Sequence, residues 1–76
     1  MDTKNKAFQL LDIQFSYNGN LGVLQQKTID NKTMCDSLTM NGIITHEEHE
    51  ETMKAIYDYF SEQIQKVANY PSHFLT

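Results

Sequence analysis

The chain has 76 residues, with ten acidic and six basic side chains and a formal net charge of −4. All the basic residues are lysines, and they are scattered singly along the sequence. Without a basic stripe, or an arginine to clamp phosphate through two hydrogen bonds, this composition argues against nucleic acid as a partner. So short a chain buries only about 60% of its unfolded surface, so we expect one small domain, residues 1–76, of marginal stability.

Cysteine usage and hydropathy indicate where the protein works. The single cysteine, Cys35, excludes an internal disulfide. No apolar run approaches the roughly 20 residues that span a bilayer, and the N-terminal residues lack the pattern of a signal peptide. We therefore expect a cytoplasmic protein without a membrane partner, in which self-association supplies the missing buried area.

The N-terminal segment fits two different structures. Apolar and polar residues alternate over residues 11–17, and Asn-Gly-Asn follows at 18–20, which is typical of a β-hairpin. Phe8, Leu11 and Phe15 also share one face of a helix. A lone two-stranded hairpin is barely stable in water, and its second arm here would have a polar, helix-favouring centre. We expect a helix, with a β-hairpin followed by two helices as the alternative fold.

The middle segment predicts a second helix. Residues recur at three- and four-residue spacing along one face, at Leu21, Leu24, Thr28, Asn31, Cys35 and Leu38. Gly42 stands where a left-handed residue commonly ends a helix. Because two positions of the stripe are polar, the helix begins either near Leu21 or only at Asp30, which is a good N-cap.

The last segment predicts a long amphipathic helix from about residue 46 to 69, ended by Pro71. Its apolar positions are Met53, Ile56, Tyr57, Phe60, Ile64 and Val67. At 1.5 Å per residue it measures about 35 Å, which is long for so small a domain. We expect this stripe, with Tyr70 beyond it, to form the interface of a symmetric homodimer. The alternative is a three-helix monomer in which the stripe is ordinary core. In either case the sequence predicts an all-α fold of about three helices.

Two histidines and four glutamates fall within residues 46–51 and suggest a metal site. His46, His49 and Glu50 would share one helical face. The protease motif His-Glu-x-x-His, however, places its histidines four residues apart, and here the second comes one residue too early. These three residues are therefore only weak candidates for metal ligands, and we predict no cofactor.

The start of a helix explains more of the same cluster. Thr45 and Glu48 form the S/T-x-x-E capping box, in which each side chain accepts a hydrogen bond from a backbone N–H of the other residue. The remaining glutamates place negative charge at the positive end of the helix dipole. We therefore interpret this cluster as a helix cap rather than as a catalytic or metal centre.

The turn before this helix also carries a family resemblance. A leucine, three residues and then Gly-Ile-Ile-Thr-x-Glu-Glu occur at Leu38, Gly42, Ile43, Ile44, Thr45, Glu47 and Glu48, with Ile56 at an apolar position of the following helix. Residues 38–56 thereby resemble a SHOCT module, a short helical hairpin usually found at the C-termini of bacterial proteins. His49 departs from the family, which favours Phe or Tyr there. The resemblance implies an interaction or oligomerisation module without catalytic residues.

No pattern in the sequence predicts an enzyme. Cys35 has no His, Lys or Arg beside it to lower its thiol pKa, which is typical of a packed small hydrophobe. Four Phe and four Tyr are many for this length, and aromatic side chains often anchor interfaces. We expect an adaptor, stoichiometric inhibitor or regulatory subunit that binds another protein as an oligomer. The alternative is a small-molecule or nucleotide-binding oligomer with an aromatic pocket between subunits.

Overall fold

The computed structural model describes the backbone of residues 5–75 and the side chains of residues 5–67. It contains three helices in chain order, α1 (Lys6–Leu10), α2 (Leu21–Met40) and α3 (His46–Leu75), and no strand among the described residues. The predicted all-α fold with a long C-terminal helix is therefore confirmed. The alternative with an N-terminal β-hairpin is wrong, because the residues after the Asn-Gly-Asn turn form α2.

The N-terminal segment is helical only over α1, which Asn5 caps by accepting a hydrogen bond from the Ala7 N–H at 2.8 Å. At Leu11 the backbone becomes extended, with φ −108° and ψ 154°. From there to residue 17 the apolar side chains are buried or half-buried and the polar ones are exposed. The predicted helix over residues 11–17 is wrong. In an extended chain successive side chains point to opposite sides, so each apolar side chain of this alternating segment can face the helices.

The Asn-Gly-Asn turn connects the extended segment directly to α2. Asn18 and Gly19 both have positive φ, 51° and 75°, as a tight Asn-Gly turn requires. Asn20 then caps α2, its side chain accepting a hydrogen bond from the Val23 N–H at 3.2 Å. The turn chemistry read from the sequence is therefore present, but it leads into a helix instead of a second strand.

α2 begins at Leu21 and not at Asp30, because the two polar residues of its buried face are hydrogen-bonded. The Thr28 hydroxyl donates to the Leu24 carbonyl at 2.8 Å, and Asn31 Nδ2 donates to the Asp12 carbonyl at 3.0 Å. Burying a polar group costs little when it has a partner. The polar positions therefore do not interrupt the helix.

α2 ends in a Schellman motif at Gly42, which has φ 73°. The Ile43 N–H donates to the Leu38 carbonyl at 2.9 Å, and the Gly42 N–H donates to the Thr39 carbonyl at 3.0 Å. An alanine at this position would be strained by the positive φ, although the space around it is open. The motif turns the chain back so that α3 packs along α2.

α3 is longer than expected, since it continues past Pro71 to Leu75. The prediction that Pro71 ends it is wrong. Proline lacks one N–H donor, but its fixed φ near −65° is itself helical. With 30 residues, α3 measures about 45 Å against about 30 Å for the 20 residues of α2. One end of α3 thus extends well beyond α2.

The core lies where α1, the C-terminal half of α2 and the N-terminal half of α3 meet. Its buried apolar members are Ala7, Cys35, Leu38, Ile44 and Ile56. A second cluster lies farther along, where the Phe15 ring contacts the edges of the Tyr17 and Tyr59 rings at 6.0 and 5.6 Å between centroids. Within the described residues, no helix is long and apolar enough to cross a membrane.

Candidate interaction surfaces

The cluster at the start of α3 contains both hydrogen bonds of a capping box. The Thr45 N–H donates to Glu48 Oε1 at 2.8 Å, and the Glu48 N–H donates to Thr45 Oγ1 at 3.0 Å. The bond from the Thr45 backbone is the main reason that the pKa of Glu48 lies below its ordinary value. These two side chains are therefore engaged in starting the helix.

The two histidines of the cluster do not converge on a metal position. His49 Nε2 lies 2.7 Å from Asp36 Oδ1 and so joins α3 to α2, while the His46 ring stacks beside it at 6.4 Å between centroids. Glu50 is exposed. In the part of the chain that the structure describes, no group of three or more His, Cys, Asp or Glu side chains is arranged to hold a metal ion.

Thr45→Ala should destabilise the protein by about 1 kcal/mol, because it leaves the Glu48 N–H without its side-chain acceptor. Glu48→Ala should cost less, since the Thr45 N–H that it frees is exposed to water. Denaturant titration followed by far-UV circular dichroism measures both changes. Unaltered midpoints in both variants would show that the cap does not stabilise α3.

The capping box also predicts a dependence on pH. Because the folded-state pKa of Glu48 is lowered, its contribution is fully present above the ordinary value of 4.5 and is lost as pH falls through the folded value. Glu48→Gln keeps a hydrogen-bond acceptor but does not titrate. We expect the stability of wild type to decline relative to Glu48→Gln below about pH 4.5. Parallel pH profiles for the two proteins would contradict this.

Cys35 lies in the core and has no features of a nucleophile. Its side chain is fully buried, and its Sγ lies 3.9 Å from the His49 carbonyl oxygen. Burial, and secondarily the neighbouring Asp36 carboxylate, raise the pKa of the thiol above its ordinary value. The thiolate needed for attack or for metal binding is therefore disfavoured.

In the native protein Cys35 should react with a thiol reagent at least about a hundredfold more slowly than in denaturant. The reason is that the reagent reaches the thiol only when α2 and α3 separate. Labelling with iodoacetamide at pH 8, with and without urea, measures the ratio. Leu38→Ala, at a neighbouring core position, should accelerate native labelling. Native labelling as fast as in urea would place the thiol at the surface.

The predicted interface stripe on α3 divides into core and surface positions. Ile56 is only 2% exposed and belongs to the core. Tyr57 is 49% exposed, with Lys32 Nζ 4.9 Å from the centre of its ring. The other described members of the stripe are half-buried: Met53, Phe60, Ile64 and Val67. Tyr70 lies outside the described side chains.

A groove that the sequence did not predict runs between the N-terminal segment and α3. It has a volume of about 470 Å³ and is lined by Phe8, Leu11, Asp12, Ile13, Gln14, Ala55, Asp58, Tyr59 and Glu62. Its apolar members form much of the surface, and three carboxylates accompany them. No basic residue is among the lining residues.

Three long-range hydrogen bonds hold the extended segment beside this groove. The Tyr59 hydroxyl donates to the Phe15 carbonyl at 2.9 Å, and the Tyr17 hydroxyl donates to Gln63 Oε1 at 2.8 Å. The third joins Asn31 to the Asp12 carbonyl. Burial raises the pKa of the Tyr59 hydroxyl above its ordinary value. The groove wall is therefore attached to both long helices.

The carboxylates of the groove differ in their partners. Asp58 pairs with Lys54 at 3.0 Å one helical turn away, and Asp12 lies 3.7 Å from Lys27 on α2. Glu62 forms no ion pair with another described residue. Exposed ion pairs of this kind contribute little to stability. Among the described residues, Glu62 is therefore the groove carboxylate left without a cationic partner, and it lies beside an apolar surface.

Comparisons of the chain with protein-family models, curated proteins and solved structures found no match.

Proposed function

We propose that this protein is a non-enzymatic cytoplasmic binding module that associates as a homodimer through α3 and acts stoichiometrically on another protein. The observation that best supports the proposal is the largely half-buried apolar row on α3, by which we mean the stripe positions Met53, Ile56, Phe60, Ile64 and Val67. Phe60, Ile64 and Val67 continue this row beyond Ile56, which the core covers. Such a row favours a protein partner, because aromatic and aliphatic side chains dominate interface energetics.

The unequal helix lengths support self-association. α3 exceeds α2 by ten residues, or about 15 Å, so α2 alone does not cover its whole length. A second copy related by a two-fold axis would lay the same row against itself and close the assembly without further growth. Self-association would also offset the small core of a chain of this size. The likeness of residues 38–56 to a SHOCT hairpin agrees with an oligomerisation role.

The described titratable groups support a function without catalysis. Three described groups have a clearly shifted pKa, namely a helix-capping glutamate, a buried thiol and a tyrosine whose hydroxyl donates to a backbone carbonyl: Glu48, Cys35 and Tyr59. Each has a structural reason for its shift, and none lies beside a second group in a nucleophile–base pair.

Affinity capture with the tagged chain tests this function. The chain should retain a partner from a lysate of its native cell, saturably and in fixed proportion. Phe60→Asp should disrupt the dimer and capture less, whereas Asp30→Lys on the exposed face of α2 should capture as wild type does. A folded monomer that retains no saturable partner would overturn the proposal.

The alternative function, small-molecule binding, is favoured by one observation, the groove with Phe8 and Tyr59 in its lining. Its three carboxylates would repel the phosphates of a nucleotide, so this site fits a neutral or cationic compound better. A thermal-shift screen separates the two functions. Stabilisation by a metabolite at micromolar concentration would favour the alternative, whereas stabilisation only by a protein fraction favours the binding module.

A further inference from the structure

We infer that the groove between residues 8–14 and α3, which we call the acidic groove, binds an extended, basic peptide segment of the partner protein. The inference rests on the proposed function, because it names the chemistry of the partner. It does not require the dimer, since one subunit supplies every lining residue.

The lining of the acidic groove combines apolar contact with negative charge. Phe8 is 41% exposed and offers a free aromatic surface. Asp12, Asp58 and Glu62 supply carboxylates. Lysines outside the lining pair with Asp12 and Asp58, whereas Glu62 forms no ion pair with another described residue. A ligand that matches both features carries lysine or arginine beside an apolar side chain.

The backbone of the extended segment favours a peptide over a small cation. Among the described residues, the N–H groups of residues 12–14 donate to no protein acceptor, and the carbonyls of Ile13 and Gln14 accept no hydrogen bond. The neighbouring carbonyls of Asp12 and Phe15 are held by side chains of α2 and α3. The main-chain groups of this fixed, extended segment that form no hydrogen bond with described residues are donors and acceptors to which another extended chain could bond.

The size of the acidic groove limits the ligand to a short segment. From Ala55 to Glu62 the groove follows α3 for about two turns, or roughly 10 Å. At about 3.3 Å per residue, this length accommodates three or four residues of an extended peptide. We expect one apolar side chain to contact Phe8 and Tyr59 and a flanking cation to pair with Glu62.

Binding of two synthetic pentapeptides tests the inference by fluorescence anisotropy at physiological salt. The probe is rhodamine-labelled Lys-Leu-Lys-Leu-Lys, and its control is Glu-Leu-Glu-Leu-Glu. Glu62→Lys should raise the Kd of the basic peptide at least about tenfold, and Phe8→Ala should raise it as well. Asp30→Lys changes the net charge equally but lies on α2 outside the groove, so it should leave the Kd within about threefold of wild type.

Several results would overturn the inference. The inference is wrong if the basic peptide does not bind saturably, or if the acidic peptide binds equally well. It is also wrong if Glu62→Lys and Asp30→Lys weaken binding equally, because the peptide would then be attracted only by the net charge of the protein. Full competition by lysine amide at the peptide's concentration would indicate a site for a small cation. Sedimentation equilibrium of the same proteins distinguishes the dimer proposal from the groove proposal. A wild-type chain that is a dimer but does not bind the peptide would contradict the groove proposal and leave the dimer proposal standing. Loss of the dimer in Glu62→Lys would mean that a second copy occupies the groove.

Discussion

Ile56→Ala should lower the free energy of unfolding by about 2–5 kcal/mol. Ile56 is 2% exposed and contacts the cluster that joins all three helices, so the change removes buried methyl groups and leaves a cavity. A core of this size rarely supplies more than about 3–5 kcal/mol. We therefore expect much of the variant to be unfolded at room temperature.

Denaturant titration by far-UV circular dichroism measures this loss, and Ile29→Ala is the matched control. Ile29→Ala makes the same chemical change in a helix, but Ile29 is 46% exposed, so the effect should stay within about 0.5 kcal/mol. The Ile56→Ala loss should be present at every protein concentration, because the site lies within one subunit. Equal effects for the two variants would contradict the assignment of Ile56 to the core.

Phe60→Asp should dissociate the proposed dimer. Phe60 lies near the middle of the apolar row and is half-buried within the subunit. A carboxylate placed opposite its symmetry mate would be desolvated and would meet a like charge, which costs several kcal/mol in an interface. Since folding and association are linked by mass action, the melting temperature should also fall and lose its dependence on concentration.

Two further variants separate dissociation from unfolding. Val67→Asp makes the same kind of change about two turns farther along the row, and about three turns from Ile56, the last core residue of α3. It should also give a monomer, with helical content kept. Val23→Asp adds the same charge at a 38% exposed position of α2 and should leave association unchanged. A Val67→Asp protein that associates as wild type does would exclude the row as the interface.

The helices were predictable to the extent that local signals determine them. The capping residues before α2 and α3, and Gly42 after α2, have the positions and hydrogen bonds that their residue types favour. The start of α2 remained ambiguous in the sequence because Thr28 and Asn31 interrupt its apolar face. Only the structure shows that Asn31 reaches the Asp12 carbonyl, nineteen residues earlier.

The N-terminal segment and the acidic groove were not predictable from local pattern. Residues 11–17 are extended, as their alternation allowed, although we expected a helix there; the segment packs on a helix pair and not on a second strand. The contact from Tyr59 to the Phe15 carbonyl spans 44 residues, and no local propensity encodes it. The groove exists because the N-terminal segment runs along α3, and the sequence alone does not show that these two segments are neighbours.

The apolar stripe of α3 is a second feature that the sequence pattern predicts only in part. Its three- and four-residue spacing predicted a helix and a buried face, but it did not distinguish core from contact surface. Ile56 proves to be core, whereas Tyr57, its neighbour in sequence, is half exposed. That division depends on where α2 and the N-terminal segment pack. The period of a single helix carries no such information.

Sedimentation equilibrium of the wild-type chain at tens of micromolar tests self-association most directly. We predict a species of twice the subunit mass of 8.8 kDa, converted to the subunit mass by Phe60→Asp and by Val67→Asp but not by Val23→Asp. A single species of 8.8 kDa for the wild-type chain would contradict the dimer.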